Sequence, residues 1–499
     1  MLNGHLSSSQ KFFQTWLLWL SAWFIFYSNF PVSAQDSSQS SIEPIRLGAL
    51  LDTLGVRFSL DFAYDAGVVN TDSVLQTVIP DSLDKQWVSG LFDHGGVEVS
   101  FLGQQVIIRK QQGKIPKKNI LLISGQVVDG ASGEPLPMVN VGVEGQPVGT
   151  TTNDLGQFSF KVPDRFAGMP MVFSFLGFAS SRIIIPEKDT AVVIHLREYA
   201  VRLPEVQVHY RDPNQIVRAV RSAVKDNYLL QPYLMTAFFR ETIQQDKRFV
   251  DVSEAVIEIL KPSYSDSHDT ERVRFVKGRK GRETNEMDVV QFKLSGGPYH
   301  FSQLDVMRQG NFLPNENGHS DYKYSFDGVD IIYDRLVYRV GFKPYNDTHE
   351  LFYEGEMRIE AESMALVNID FQLTPASIRR SRSYLIKRDA RRFRTRPFHA
   401  KYKVEYRPWK DGWVLSKVRG EVSLRVYDRS KRERSVFDTV SEMLVTDFSM
   451  ANKRQSIPWS ETYRSDYVLS DHLGEFDPDF WKYYNVIQPD EALEKVLSR

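Results

Sequence analysis

Between positions 379 and 396 the chain crowds Arg379, Arg380, Arg382, Lys387, Arg388, Arg391, Arg392, Arg394 and Arg396 into one short segment. A guanidinium stays charged at every accessible pH and presents only donors. Such a cluster cannot act as a general base, but it can hold anions. The partners it would suit are anionic lipid head groups, polysaccharide or an acidic protein. A solvated loop, or a strand with outward arginines, would read the same way, and the sequence alone leaves both open. The acidic, aromatic stretch Glu475–Tyr484 offers an internal partner for these cations.

Signals for bond-breaking chemistry are weak elsewhere. There is no cysteine, which excludes disulfides, thiolate metal sites and a thiol nucleophile. The histidines are dispersed, and His349-Glu350 lacks the second histidine of a zinc helix. Gly318-His319-Ser320-Asp321-Tyr322 approaches a nucleophile elbow but lacks its final glycine. Ser82-Leu83-Asp84-Lys85 has the Ser-x-x-Lys spacing, yet no Lys-Thr-Gly accompanies it, and Ser82 fits a helix cap better. Gly278, Gly281, Gly296 and Gly297 lack the spacing of a phosphate loop. Asp327, Asp330 and Asp334 do not follow a calcium loop. Carboxylates at Glu241, Glu254, Glu354 and Glu356 are scattered. Glu354 and Glu356 share a face if their strand is regular, which would suit acid–base work in an envelope hydrolase acting on peptides or glycans. No residue is expected to be catalytic, to bind a cofactor or to hold a metal.

The elements that would position these residues are mostly strands. At 499 residues, with 42% hydrophobic and 12% aromatic content, the chain has room for roughly three domains with real cores. Its formal net charge of -1 gives no footprint for nucleic acid. Lys11, the apolar run Phe12–Tyr27 and the small residues Val32-Ser33-Ala34 resemble an export signal over 1–34. A Ser/Gln/Asp-rich leader follows. Periodicity then predicts a helix over Ile45–Leu54, strands over Val56–Phe62 and Ser73–Ile79, a helix over Leu83–His94, and a hairpin of Val97–Phe101 with Gln105–Arg109. Residues 111–122 read as a linker.

From Ile123, short alternating strands are broken by turn residues: Gly125, Val127, Asp129, Gly133, Pro135 and Leu136, then Val139 and Val141. Gly149, Thr150, Thr152, Asp154, Gly156 and Phe158 follow, and then Ser174, Gly177 and Phe178. This pattern resembles the carboxypeptidase regulatory-like domain, a prealbumin-like sandwich, over 123–208. The resemblance implies a seven-stranded-type β-sandwich without catalytic residues of its own. Residues 42–110, with Leu47, Leu50, Leu51, Leu54, Leu91, Phe92, Gly95, Val97 and Val106–Ile108 in place, resemble the secretin and TonB short N-terminal domain. That domain directly before a regulatory-like sandwich is an arrangement of exported Bacteroidetes-type proteins.

Past Asp212 an amphipathic helix over Pro213–Asn227 is capped by Asp212 and led by Pro213. Strands follow over Ala237–Thr242, Phe249–Leu260, Tyr353–Glu360, Ala365–Phe371, His399–Arg407, Trp413–Tyr427 and Val436–Phe448. With Asn227-Tyr228, Phe239-Arg240-Glu241, Glu254-Ala255-Val256 and Asp477–Asn485, residues 213–499 resemble the region, without assigned activity, that follows regulatory-like sandwiches in such proteins. The expected fold is mainly β and multidomain: a small α+β N-terminal module, the sandwich, then a larger α+β region dominated by curved antiparallel sheet.

These readings predict a non-enzymatic accessory, sensor or adaptor of the cell envelope, exported and either periplasmic or outer-membrane associated. Its partners would be envelope proteins, such as a TonB-linked transporter or a membrane regulator, and an anionic lipid or glycan, with no nucleic acid and no cofactor. The alternatives are the hydrolase and a small outer-membrane β-barrel.

Overall fold

The structure is a computed structural model. It describes residues 44–64, 69–92, 97–102, 105–110, 120–199, 212–265, 269–282, 293–294, 297–315, 317–347, 351–388, 392–410, 412–451, 456–464, 469, 473 and 481–498. The expected export signal, residues 111–119 of the linker expected over 111–122 and the stretch 475–480 lie outside these, while residues 120–122 of that linker belong to a strand. The chain divides into two compact units, Met1–Pro116 and Lys117–Arg499.

In the first unit β1 (Ile45–Arg46) leads into α1 (Leu47–Phe58), followed by β2 (Asp61–Tyr64), β3 (Val74–Leu75), α2 (Lys85–Gly90), β4 (Val97–Leu102) and β5 (Gln105–Lys110). Strands β2, β5 and β4 form one sheet, with β2–β5 parallel and the β4–β5 hairpin antiparallel. Leu47, Leu51, Val88, Phe92, Val106 and Ile108 make its core. The strand expected over Val56–Phe62 is corrected. The helix continues to Phe58, Val56 faces solvent, and Ser59 adopts a left-handed conformation (φ 56°) that ends it. Phe58 continues the apolar face of Leu47, Leu51 and Leu54, while Val56 stands on the solvent side, so their period-2 spacing is incidental to a helix. Strand β3 is also shorter than expected, only Val74–Leu75.

The second unit begins with a sandwich of β6 (Ile120–Asp129), β7 (Asn140–Val143), β8 (Gly149–Thr151), β9 (Gln157–Pro163), β10 (Pro170–Ser174), β11 (Phe178–Ala179), β12 (Ser181–Ile184) and β13 (Thr190–Glu198). Two four-stranded sheets, ordered β12-β10-β7-β8 and β11-β13-β6-β9, enclose Ile123, Val127, Val141, Phe158, Phe160, Phe173 and Leu196. Two of the motif glycines have steric reasons. A Cβ on Gly125 would sit 1.8 Å from the Val192 carbonyl oxygen of the parallel neighbour β13. Gly156 has φ +69°, and a Cβ there would lie 2.5 Å from the Val127 carbonyl oxygen.

After α3 (Pro213–Ser222) and α4 (Val224–Asn227) come β14 (Tyr233–Gln245), β15 (Arg248–Lys261), β16 (Arg272–Arg282) and β17 (Lys293–Leu294). Next are α5 (Gly297–Ser302), α6 (Val306–Gln309), β18 (Tyr322–Ile332), β19 (Arg335–Pro344), β20 (Tyr353–Glu360) and β21 (Leu366–Leu373). The chain continues through α7 (Pro375–Arg380), α8 (Arg382–Leu385), β22 (Ile386–Arg388), β23 (Phe393–Trp409), β24 (Gly412–Asp428), β25 (Glu433–Met450) and α9 (Glu491–Leu497). The helix start at Asp212 is as expected: its side chain accepts from the Asn214 amide, with Pro213 in the first turn.

Ten of these strands form one antiparallel sheet, ordered β16-β15-β14-β25-β24-β23-β21-β20-β19-β18. The middle is a meander, and the first hairpin pairs with the last strand, β14 against β25. Among the described residues the sheet is open, with β16 and β18 at its edges, whereas a membrane barrel closes on itself to pair every backbone group. One core joins α3, α5 and α6 to the sheet through Ile216, Val217, Phe301, Met307, Phe239 and Val418. A second lies near α8 and joins Leu385 to Phe393, Ala400, Leu424, Val426 and Phe437. No helix among the described residues is long and apolar enough to cross a membrane.

Candidate functional site

The basic segment separates into arginines that hold the fold and arginines that face solvent. Arg380 donates to Asp347 Oδ1 at 2.6 Å. Arg382 donates from Nε to the Thr395 carbonyl and hydroxyl, each at 3.2 Å. Arg392 grips Asp428 at 2.9 and 2.5 Å and, with the help of Ser430, holds that carboxyl well below the usual carboxylate range. Arg391 and the Arg388 and Lys387 side chains lie outside the described residues. Arg379, Arg394 and Arg396 are exposed, and none has a carboxylate partner among the described residues.

Strand order explains where these arginines gather. Pairing of β21 with β23 stops at Gln372–Lys401, after which β21 turns into α7. Strand β23 runs on to Phe393, paired on its other side with β24. Where β21 departs, a cleft of about 430 Å³ opens, and Arg379, Arg396, Arg425, His399 and Phe398 help to line it. The pleat turns Phe393, Thr395 and Pro397 inward and Arg394, Arg396 and Phe398 outward. A bulge between Pro397 and His399 falls where proline has no amide hydrogen to give the ladder. Arg425 of β24 stands directly opposite Arg396 and lies over the Phe398 ring, 4.5 Å from its centroid.

Two of the expected residues, Arg379 and Arg396, thus line the cleft, Arg394 flanks it, and Arg425 was missed. Arg425 belongs to an ordinary alternating strand, Ser423-Leu-Arg-Val-Tyr427, and only cross-strand register brings it to the segment. Charge alternating with buried Leu424 and Val426 was the available signal. The acidic residues of the stretch Glu475–Tyr484 lie outside the described residues. Where the stretch is described, the Trp481 and Tyr484 carbonyls accept from Lys161 Nζ of the sandwich, at 2.6 and 2.8 Å.

The scattered carboxylates are engaged in ion pairs and hydrogen bonds. Glu254 is fully buried and accepts from Arg240 at 2.7 Å and Arg279 at 2.6 Å. Glu356 meets Arg339 at 3.2 Å and Arg358 at 2.8 Å, while Glu354 accepts from the Gln372 amide at 3.1 Å. Glu241 accepts from the Ser441 hydroxyl. Ser320 pairs with the Tyr324 hydroxyl at 2.6 Å, and His319 with Asp321 at 3.8 Å on the surface. Among the described residues no cluster of three or more His, Asp or Glu is placed to hold a metal.

Two buried charge networks lie within the second unit. Lys261 Nζ lies 2.8 Å from Asp305 and 2.9 Å from Glu271, all three essentially without solvent contact. Tyr264 and Tyr406 donate to Asp305 at 2.7 and 2.8 Å. Burial works to lower the Lys261 ammonium, but Asp305 and Glu271 outweigh it and hold it above the ordinary lysine value. At the junction of sheet and sandwich, Glu405 takes Lys403 at 2.8 Å and Lys417 at 3.1 Å. Burial would raise the Glu405 carboxyl, yet the two ammonium groups hold it down at about 2. Lys417 also donates to the Met138 carbonyl at 3.3 Å, and Arg407 to the Pro147 carbonyl at 2.5 Å. The sandwich is therefore tied to the large sheet by side-chain bonds from β23 and β24.

Residues 123–208 match the family model described as the CarboxypepD_reg-like domain. No curated protein matches this chain. Among solved structures it resembles a domain described as an outer membrane lipoprotein-sorting protein from Vibrio parahaemolyticus, with 7% identity and a TM-score of 0.24, covering 49% of this chain and 95% of that one. It also resembles a DUF1329 family protein from Desulfovibrio piger, with 9% identity and a TM-score of 0.23, covering 49% and 96%. A third is MucB in complex with MucA, with 10% identity and a TM-score of 0.14, covering 48% and 100%. Likenesses of this size carry no functional argument.

Proposed function

We propose that this chain is a non-enzymatic accessory protein of the cell envelope, an adaptor or sensor. Its first unit would bind a protein partner, and its second would serve as a scaffold with a surface for an anionic partner. The observation that carries the reading is the chemistry of the cleft. Arg379, Arg396 and Arg425 converge on it beside apolar carbons of Phe398, Ile378 and Leu373, with no carboxylate in its lining. Guanidinium groups and hydrocarbon bind and orient, and they do not exchange protons near neutral pH, while His399, the lining's one imidazole, shares it with no carboxylate or hydroxyl side chain. The carboxylates a hydrolase would need are engaged elsewhere, Glu254 and Glu356 with arginines and Glu354 with Gln372.

The exported location and the partner class rest on the sequence: the signal-like segment 1–34 and the resemblance of 42–110 to a TonB-associated short domain. The first unit is compact by itself, which suits a module that can be removed without unfolding the second. The test is a cross-linked affinity capture from native envelopes, with the full chain and with residues 42–110 deleted. Recovery of a TonB-linked transporter or an inner-membrane regulator by the full chain, lost on the deletion, is expected. Recovery of neither, or recovery that survives the deletion, overturns the adaptor reading.

A further inference from the structure

The arginine cleft is one part of a broader basic surface at one end of the large sheet. The β24–β25 turn carries exposed Lys431 and Arg432, and Arg434 follows on β25. Register places Arg434 opposite Tyr427, which stands opposite Arg394, so these three lie in one row across the sheet. The neighbouring row is Arg396, Arg425 and Val436. The β14–β15 turn reaches the same end. The Asp246 carboxylate accepts from the Val436 amide, and exposed Lys247 and Arg248 follow it. In a chain whose formal net charge is -1, this is a segregation of charge. The exposed acids of the two turns are Glu433 and Asp246, the latter held by the Val436 amide, and Asp428 is already taken by Arg392.

An exposed aromatic side chain accompanies the cations. Phe398, on the rim of the cleft, is 37% exposed under the Arg425 guanidinium. A small soluble anion would need only the enclosed cations. It would gain nothing from exposed cations spread over two turns, nor from an aromatic ring standing beside them. A plane of anionic head groups uses both, because clustered Lys and Arg meet its negative potential while aromatic rings settle at the level of the head groups.

We infer that this end of the sheet docks on an anionic lipid surface, with one lipid phosphate seated in the cleft between Arg379, Arg396 and Arg425. The inference rests on the reading of the cleft as an anion-binding surface and names its occupant. The Arg396–Arg425 pair supplies the seat, since a phosphate between two facing guanidinium groups accepts from both.

The experiment is co-sedimentation of the full chain with vesicles of phosphatidylcholine alone and of phosphatidylcholine with phosphatidylglycerol, at low and high salt. The apolar segment Phe12–Tyr27 is common to every sample, so the difference between vesicle types isolates the basic surface. Binding to the anionic vesicles should exceed binding to the neutral ones and should fall at high salt. The R396Q/R425Q double variant should lower the anionic partition coefficient at least about tenfold, and F398A should lower it without changing its salt dependence. Equal binding to both vesicle types overturns the inference, as does anionic binding undiminished by R396Q/R425Q. So does binding of inorganic phosphate or heparin without any preference for anionic vesicles. None of these outcomes bears on the protein capture through residues 42–110, so the two readings fail separately.

Discussion

Arg396 and Arg425 stand directly opposite one another on β23 and β24, two outward guanidinium groups with no carboxylate partner among the described residues. Like charges at opposed positions of an antiparallel pair are destabilising. The arrangement therefore costs stability in the free protein, and an anion seated between the two, as proposed above, would relieve it.

Replacing either arginine by glutamine should leave stability unchanged or raise it by up to about 1 kcal/mol, while anion binding falls. Denaturant unfolding of R396Q and R425Q measures the first half. A loss above about 1 kcal/mol would show that the pair supports the fold.

The Asp305 cluster should be the most sensitive point of the large sheet's core. Asp305→Asn leaves the Lys261 ammonium buried without one of its two carboxylates and disturbs the hydroxyls of Tyr264 and Tyr406. Breaking one side of such a buried network costs about 3–5 kcal/mol. Chemical denaturation of the variant checks this, and a cost below about 1 kcal/mol would refute it.

Acid should loosen the junction of sandwich and sheet. The Glu405 carboxyl, 7% exposed, sits at about 2 in the folded state against an ordinary value of 4.5. Because the folded value is depressed, the unfolded chain takes up the proton first as pH falls. The contribution is thus complete above about pH 4.5 and is lost as pH falls toward 2. Its size is roughly 3 kcal/mol at neutral pH. Comparing unfolding free energies of the wild type and E405Q from pH 7 to pH 2 tests it: the two curves should converge in that window. Parallel curves would place the acid sensitivity elsewhere.

Gly156→Ala should unfold or strongly weaken the sandwich. The residue needs φ +69°, and an added Cβ would meet the Val127 carbonyl oxygen at 2.5 Å, a backbone atom that cannot rotate away. Gly133→Ala shares a positive φ of +75° but meets nothing within 4 Å. It should cost only the strain of its backbone conformation, on the order of 1 kcal/mol. Thermal melts of the two variants separate steric clash from conformational strain, and equal losses would contradict the distinction.

The sequence by itself determined the local elements and the sandwich. Alternation in β14, β15, β20, β21 and β23–β25, the Asp212-Pro213 helix start and the turn glycines of residues 123–208 are short-range signals. Pleat, cap and left-handed turn each act within a few residues. Short-range signals also misled at Val56–Phe62, where the helix runs on to Phe58 with Val56 on its solvent side. β16 and β19 carry dense charge or irregular alternation, whereas β18 alternates Tyr322, Tyr324 and Phe326 with Lys323, Ser325 and Asp327, a signal that went unread. Only the tertiary structure decided which arginines of residues 379–396 are structural and which face the cleft. Asp347 and Asp428 neutralise Arg380 and Arg392 from positions far along the chain, and Arg425 joins Arg396 through register. Register and long-range ion pairing depend on how strands stack in the finished sheet, and no local propensity encodes them.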